Sequence, residues 1–155
     1  MAPQVGAVMS TRRGGVSLHP FDAMNLGLRV GDDGSAVATN RKHFRDSIGA
    51  QPVFMQQVHG THVVRLDATH ITDVVSGSVD AIEADAAFTV VPGLACTVQV
   101  ADCMPVLLAS RDASIVGAAH AGWRGAAGGV VERLAREMCD AAGLEPRDLH
   151  AWMGP

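Results

Sequence analysis

The stretch from Ala86 to Ala121 constrains this chain most, because four apolar segments follow one another there with only short breaks between them. AAFTVV (86–91) and LACTVQV (94–100) flank Pro92-Gly93, and PVLLAS (105–110) and SIVGAAHA (114–121) flank Arg111-Asp112. Proline presets φ for a turn and glycine accepts positive φ, so the first pair reads as a hairpin, and the short polar break makes the second hairpin-like. Odd and even positions are alike apolar. Such strands cannot show one face to water, which predicts a sheet covered on both sides.

The rest of the chain supplies the cover. VGAVM (5–9) predicts a first strand ending at the turn-rich STRRGGVS (10–17), and residues 21–34 read as loop. Ser35 is placed as the N-cap of a helix carrying Val37, Arg41, Phe44 and Ile48, with Gly49 as its stop. VFMQQV (53–58) and HVVRL (62–66) predict strands on either side of a turn at Gly60. Residues 67–84 carry weak signals, with Gly77 marking a loop. Beyond Gly125 the period becomes helical: Val130, Val131, Leu134, Met138 and Ala142 share a face, and Gly143 and Pro146 close the helix. LHAWMG (149–154) reads as another core strand. The expectation is a single domain over residues 1–155 of mixed α/β class, a sheet built largely of hairpins with at least two helices packed on it.

Charge narrows the function. Twelve Lys and Arg against sixteen Asp and Glu give a net charge of -4. A nucleic-acid or membrane surface would need a basic footprint, so neither partner is expected, and no protein partner is predicted. Residues 1–60 hold six basic and four acidic side chains, whereas 61–155 hold six and twelve. Three cysteines without a secretory leader fit a reducing compartment, and a cytoplasmic location is expected.

Three short stretches put a potential metal ligand next to residues with special backbone needs. They are QQVHG (56–60) at a strand end, ADCMP (101–105) between two strands, and AHAGWRG (119–125) where a strand passes into a helix. Their candidate ligands, His59, Cys103 and His120, form a set suited to Zn2+, with a fourth position left for water or substrate. Cys139 is the nearest further thiol, but its mid-helix position beside Met138 reads as packing. A Cys–His nucleophilic pair is the competing reading: Cys103 with His120 as base, its thiol acidified by the helix start near Gly125. Buried cysteine and satisfied core histidine are the bland alternative, and all three stand at this point. His19, His43, His62, His70 and His150 read as ordinary surface or core residues.

Taken together, these stretches resemble the YfiH-like or laccase-domain family, once called multicopper polyphenol oxidases and now regarded as purine nucleoside phosphorylases. The resemblance is carried by STRRGGVS (10–17), NLGL (25–28), Asn40-Arg41, QVHG (57–60), DAAFT (85–89), ADCMPVLL (101–108), AHAGWRG (119–125) and the final Gly-Pro. It implies a zinc ion held by His59, Cys103 and His120, which would also be the catalytic residues. It implies phosphorolysis of adenosine, inosine, guanosine and methylthioadenosine with inorganic phosphate, and adenosine deamination as a second activity. The implied fold is shared distantly with a bacterial toxin that deamidates through a Cys–His pair, which keeps a hydrolase or deamidase reading open. The resemblance also implies further strands and helices after Pro155, so this sequence is expected to lack the family's C-terminal part.

For the phosphate, Arg12, Arg41 and Arg124 lie in motif-matching stretches and are the expected cradle, with structural ion pairing as the alternative for Arg41 and Arg124, and Gln57 is expected as a hydrogen-bonding partner for substrate. Asp102 is expected to orient a neighbour rather than act as base. The older copper oxidase label fits less well. A trinuclear copper cluster needs paired His-x-His sets, and seven histidines occur here with no such pair. A single Cu2+ taken up in vitro by the same three donors would still allow weak oxidase chemistry.

Overall fold

A computed structural model of the chain describes residues 4–70 and 82–154. It divides into two compact units, Ala7–Gln51 on the one hand and Met1–Gly6 with Pro52–Pro155 on the other.

The smaller unit is built on one helix, α1 (Gly34–Ile48). Its N-cap is Asp33 rather than the expected Ser35: the Asp33 carboxylate accepts the backbone N–H groups of Ser35 and Ala36, each at 2.9 Å. A carboxylate serves there better than a hydroxyl because it meets two orphan donors and the positive helix end together. Gly49, at φ 63°, ends the helix as expected. Buried Asn40 ties the preceding loop to α1: its side chain donates to Ser17 Oγ, Ala23 O and Asn25 O and accepts from Val16 N. The first strand expected at residues 5–9 does not form. Val8 and Met9 stand exposed and residues 5–10 have no regular structure, so among the described residues the apolar run there pairs with no strand.

The larger unit holds the sheets. β1 (Gln51–Val53) pairs with β4 (Leu94–Cys96) in a small two-stranded sheet. The main sheet contains β2 (Val63–Leu66), β3 (Ala86–Thr89), β5 (Met104–Ser110), β6 (Val116–Ala121) and β7 (Leu149–Met153), in the order β2-β3-β6-β5-β7. β2 and β3 are parallel and the remaining neighbours antiparallel. The β5–β6 hairpin forms as read from its turn. The hairpin expected of residues 86–100 does not. Its turn at Pro92-Gly93 is there, with Gly93 at φ 83°, but it carries the chain out of the main sheet, so β3 pairs with β2 and β6 while β4 joins β1.

That detour covers the second face. One side of the main sheet packs on α3 (Val130–Ala142), where Val130, Leu134 and Met138 meet Val63, Ala86, Phe88, Val106, Leu108 and Ala119. On the other side Leu66 and Ala87 pack with Val53, Met55, Ala84 and Leu94. The two-sided apolarity of β3 is thus explained: all four of its residues are buried. Helix and sheet approach closely at Gly117, where a Cβ would stand 2.8 Å from Met138 Sδ. Cys139 is buried in α3, in keeping with a packing role. The strand at 149–154 forms, but not in the core. β7 is the last strand of the sheet among the described residues, and Trp152 and Met153 are exposed. Gly77 lies outside the described residues. No helix among the described residues is long and apolar enough to cross a membrane.

Candidate metal centre

Strand direction assembles the site. In the β5–β6 hairpin, the start of β5 and the end of β6 lie together, with Met104 opposite Ala121 and Pro105 opposite His120. β3 runs antiparallel to β6, with Ala86 opposite Ala119, so Asp85 arrives next to His120. β2 runs parallel to β3, and the turn before it, His59-Gly60, reaches the same end of the sheet. One sheet end therefore gathers Cys103, His120, Asp85 and His59 from four separate stretches.

The ligand atoms of His59, Cys103 and His120 all lie within 4.8 Å of one another, and among the described residues this is the one such group able to hold a metal ion. His59 Nε2 is 3.6 Å from Cys103 Sγ. Two ligands on one tetrahedral zinc, with Zn–N near 2.0–2.1 Å and Zn–S near 2.3 Å, stand about 3.6 Å apart, so the pair fits. The two imidazoles meet edge-on, with centroids 4.7 Å apart and planes at 75°. Exposure falls from His59 (exposed) through Cys103 (half-buried) to His120 (buried), which leaves the group open on one side.

Asp85, fully buried, lies behind the group. Its Oδ1 is 2.9 Å from His120 Nδ1 and 2.9 Å from the backbone N–H of His59, which donates to it. Its Oδ2 accepts from Gly60 N at 2.7 Å and Val58 N at 3.2 Å. Burial alone would push this carboxyl up, but the His120 hydrogen bond and the three backbone N–H groups outweigh it and hold the carboxyl below the usual range. His59 sits at φ 60°, a left-handed conformation uncommon outside glycine, and Asp85 binds its N–H there.

The Cys103 thiol is pushed up, first by desolvation and then by the carboxylates of Asp102 and Asp85. This corrects the expectation of a thiol acidified by the helix start near Gly125. The helix there, α2 (Trp123–Ala127), is only five residues long. Cys103 Sγ donates to Asp102 Oδ1 at 3.7 Å.

The match to known proteins follows this geometry. The family model described as multi-copper polyphenol oxidoreductase laccase matches residues 6–155. The chain belongs to this family. Among curated relatives, "Purine nucleoside phosphorylase PA4543" of Pseudomonas aeruginosa is 41% identical over 98% of this chain and 57% of its own length. "Purine nucleoside phosphorylase YfiH" of Escherichia coli is 40% identical over 97% of this chain and 58% of its own length. Solved structures agree. Neisseria meningitidis protein NMB0706 superposes with a TM-score of 0.81 at 37% identity, over 94% of this chain and 55% of that one. YlmD from Geobacillus stearothermophilus gives 0.83 at 31% identity, over 94% and 56%. The chain spans little more than half the length of these relatives.

The other expected site residues are less uniform. Arg124 lies within the ligand-bearing stretch, four residues after His120, and is exposed, its guanidinium 4.6 Å from the ring centroid of Trp123. Gln57 donates from Nε2 to Gln99 O and accepts at Oε1 from Gln99 N, both at 2.7 Å, which commits its amide to the backbone. Arg12 and Arg41 belong to the smaller unit. There Arg12 donates to the carbonyl of Asp22 from Nε and Nη2, and Arg41 donates from Nε to Leu26 O.

The functional residue that sequence reading left unassigned is Asp85. Its signal was in the DAAFT stretch: an acidic residue between Ala84 and Ala86 in a run that must be buried. A buried carboxylate needs a partner.

Proposed function

We propose that the chain carries the metal centre of a zinc-dependent purine nucleoside phosphorylase, with His59, Cys103 and His120 as its ligands. The observation that carries this reading is the convergence of two imidazoles and a thiol within 4.8 Å at one sheet end. The names and identities of the relatives support the reaction class. When bound, zinc supplies a Lewis acid at the sheet end.

Phosphorolysis joins a phosphate oxygen to the ribose anomeric carbon and breaks the glycosidic C–N bond, whose electron pair leaves with the purine. Positive charge grows on the sugar and negative charge on the base, so the residues needed are a phosphate cradle and donors to the leaving base. Arg124 is the cation closest in sequence to the ligand set. Any hydrogen bond from Gln57 to substrate would use the donor and lone pair that Gln99 leaves. Adenosine, inosine, guanosine and methylthioadenosine are the proposed substrates, with adenosine deamination as a second reaction. Cu2+ offered in vitro would compete for the same donors.

The test is hypoxanthine release from inosine by the purified chain. Release should require inorganic phosphate, yield ribose 1-phosphate and disappear in His120→Ala. Release independent of phosphate would contradict the reading.

One observation favours a second reading. The 3.6 Å contact of Cys103 Sγ with His59 Nε2 is also that of a metal-free thiol–imidazole pair, as a hydrolase or deamidase would use. That reading predicts stoichiometric alkylation of Cys103 by iodoacetamide and activity that survives chelators.

A further inference from the structure

Asp85 offers four lone-pair positions on two oxygens, and four contacts fill them: His59 N and His120 Nδ1 at Oδ1, Val58 N and Gly60 N at Oδ2. Three of these contacts are backbone N–H groups, which can only donate. The carboxylate must therefore accept throughout, and the fourth contact is a hydrogen bond only if His120 carries its proton on Nδ1. The buried imidazole is then left with a bare Nε2, the nitrogen available to a metal. The same carboxylate binds the N–H of His59 in its left-handed conformation and those of both its neighbours, so the turn carrying the second imidazole hangs on it too.

From this we infer that Asp85 is the positioning residue of the centre. One carboxylate sets the tautomer of His120 and the backbone of His59, orienting two of the three ligands before any metal arrives. The inference rests on the metal-centre reading above. It also explains why an amide could not substitute. An NH2 in place of Oδ2 would face two N–H donors. In place of Oδ1 it would face the His59 N–H and require a bare Nδ1 on His120, sending the proton to the nitrogen that should bind the ion.

Two measurements test it. In the metal-free, 15N-labelled chain, long-range 1H–15N correlation spectra should show His120 protonated at Nδ1 and bare at Nε2. Zinc titration against a competing chelator should show Asp85→Asn binding roughly 10–100-fold more weakly than the parent. Thr89→Val serves as a control, since it removes a buried hydroxyl bond from β3 to Leu66 O of β2 and should leave zinc affinity unchanged. A parent His120 protonated at Nε2 would overturn the inference, as would a folded Asp85→Asn with parental zinc affinity. If Asp85→Asn fails to fold, the parent spectrum decides alone. If the parent binds no zinc, the metal-centre reading fails while the tautomer assignment is still tested.

Discussion

Gly122 gives Cys103 the space to face His59: a Cβ built at Gly122 would stand 2.9 Å from Cys103 Sγ and 2.7 Å from His59 Cδ2. Gly122 has an ordinary φ of -62°, so the requirement is for room rather than for backbone freedom. Gly122→Ala should push the two ligands apart. Overpacking of this kind costs about 1–3 kcal/mol. Thermal melting should show that loss, and zinc content should fall below that of the parent. An alanine variant with parental zinc content would mean the ligands do not occupy the places described.

Gln57 separates a substrate contact from a structural one. Its amide binds both backbone groups of Gln99, so Gln57→Ala leaves a donor and an acceptor without a partner. Both bonds are part-buried, and losing a hydrogen bond of this kind costs about 1 kcal/mol. Denaturant unfolding should show a lowered midpoint. Unchanged stability together with a raised KM for nucleoside would instead assign Gln57 to the substrate.

The β5–β6 turn predicts a pH dependence. Asp112 accepts from Ser110 Oγ at 2.6 Å and Ser114 N at 3.1 Å, and these bonds, the Ser110 hydroxyl foremost, hold its carboxyl at about 2. The folded value lies below the unfolded one, so the contribution is present above the unfolded value and is lost as pH falls through the folded one. The parent should be more stable than Asp112→Asn at neutral pH. The difference should shrink between about pH 4 and pH 2. Thermal melts across that range check it, and a pH-independent difference would contradict the assignment.

What could be read in advance follows from how local each signal is. The helices at 34–48 and 130–142 were legible because their periodicity and glycine stops lie within one turn of the residues concerned. The turn at Pro92-Gly93 was legible for the same reason, yet its partnering was not. Whether the chain folds back on itself or crosses to β1 depends on which surface needs covering, and that is decided by distant residues such as Val53 and Leu66. The site divides similarly. His59, Cys103 and His120 could be picked out by residue type and strand-end position. Asp85 acquired its meaning only through the β3–β6 register that sets it beside His120.

The account stands most directly on zinc titration of the chelator-treated chain, in the parent and in Cys103→Ala. It predicts one tight site per chain in the parent and loss of that site when the thiol is removed. Equal zinc affinity in the two proteins would contradict it, because the ion would then be held without Cys103.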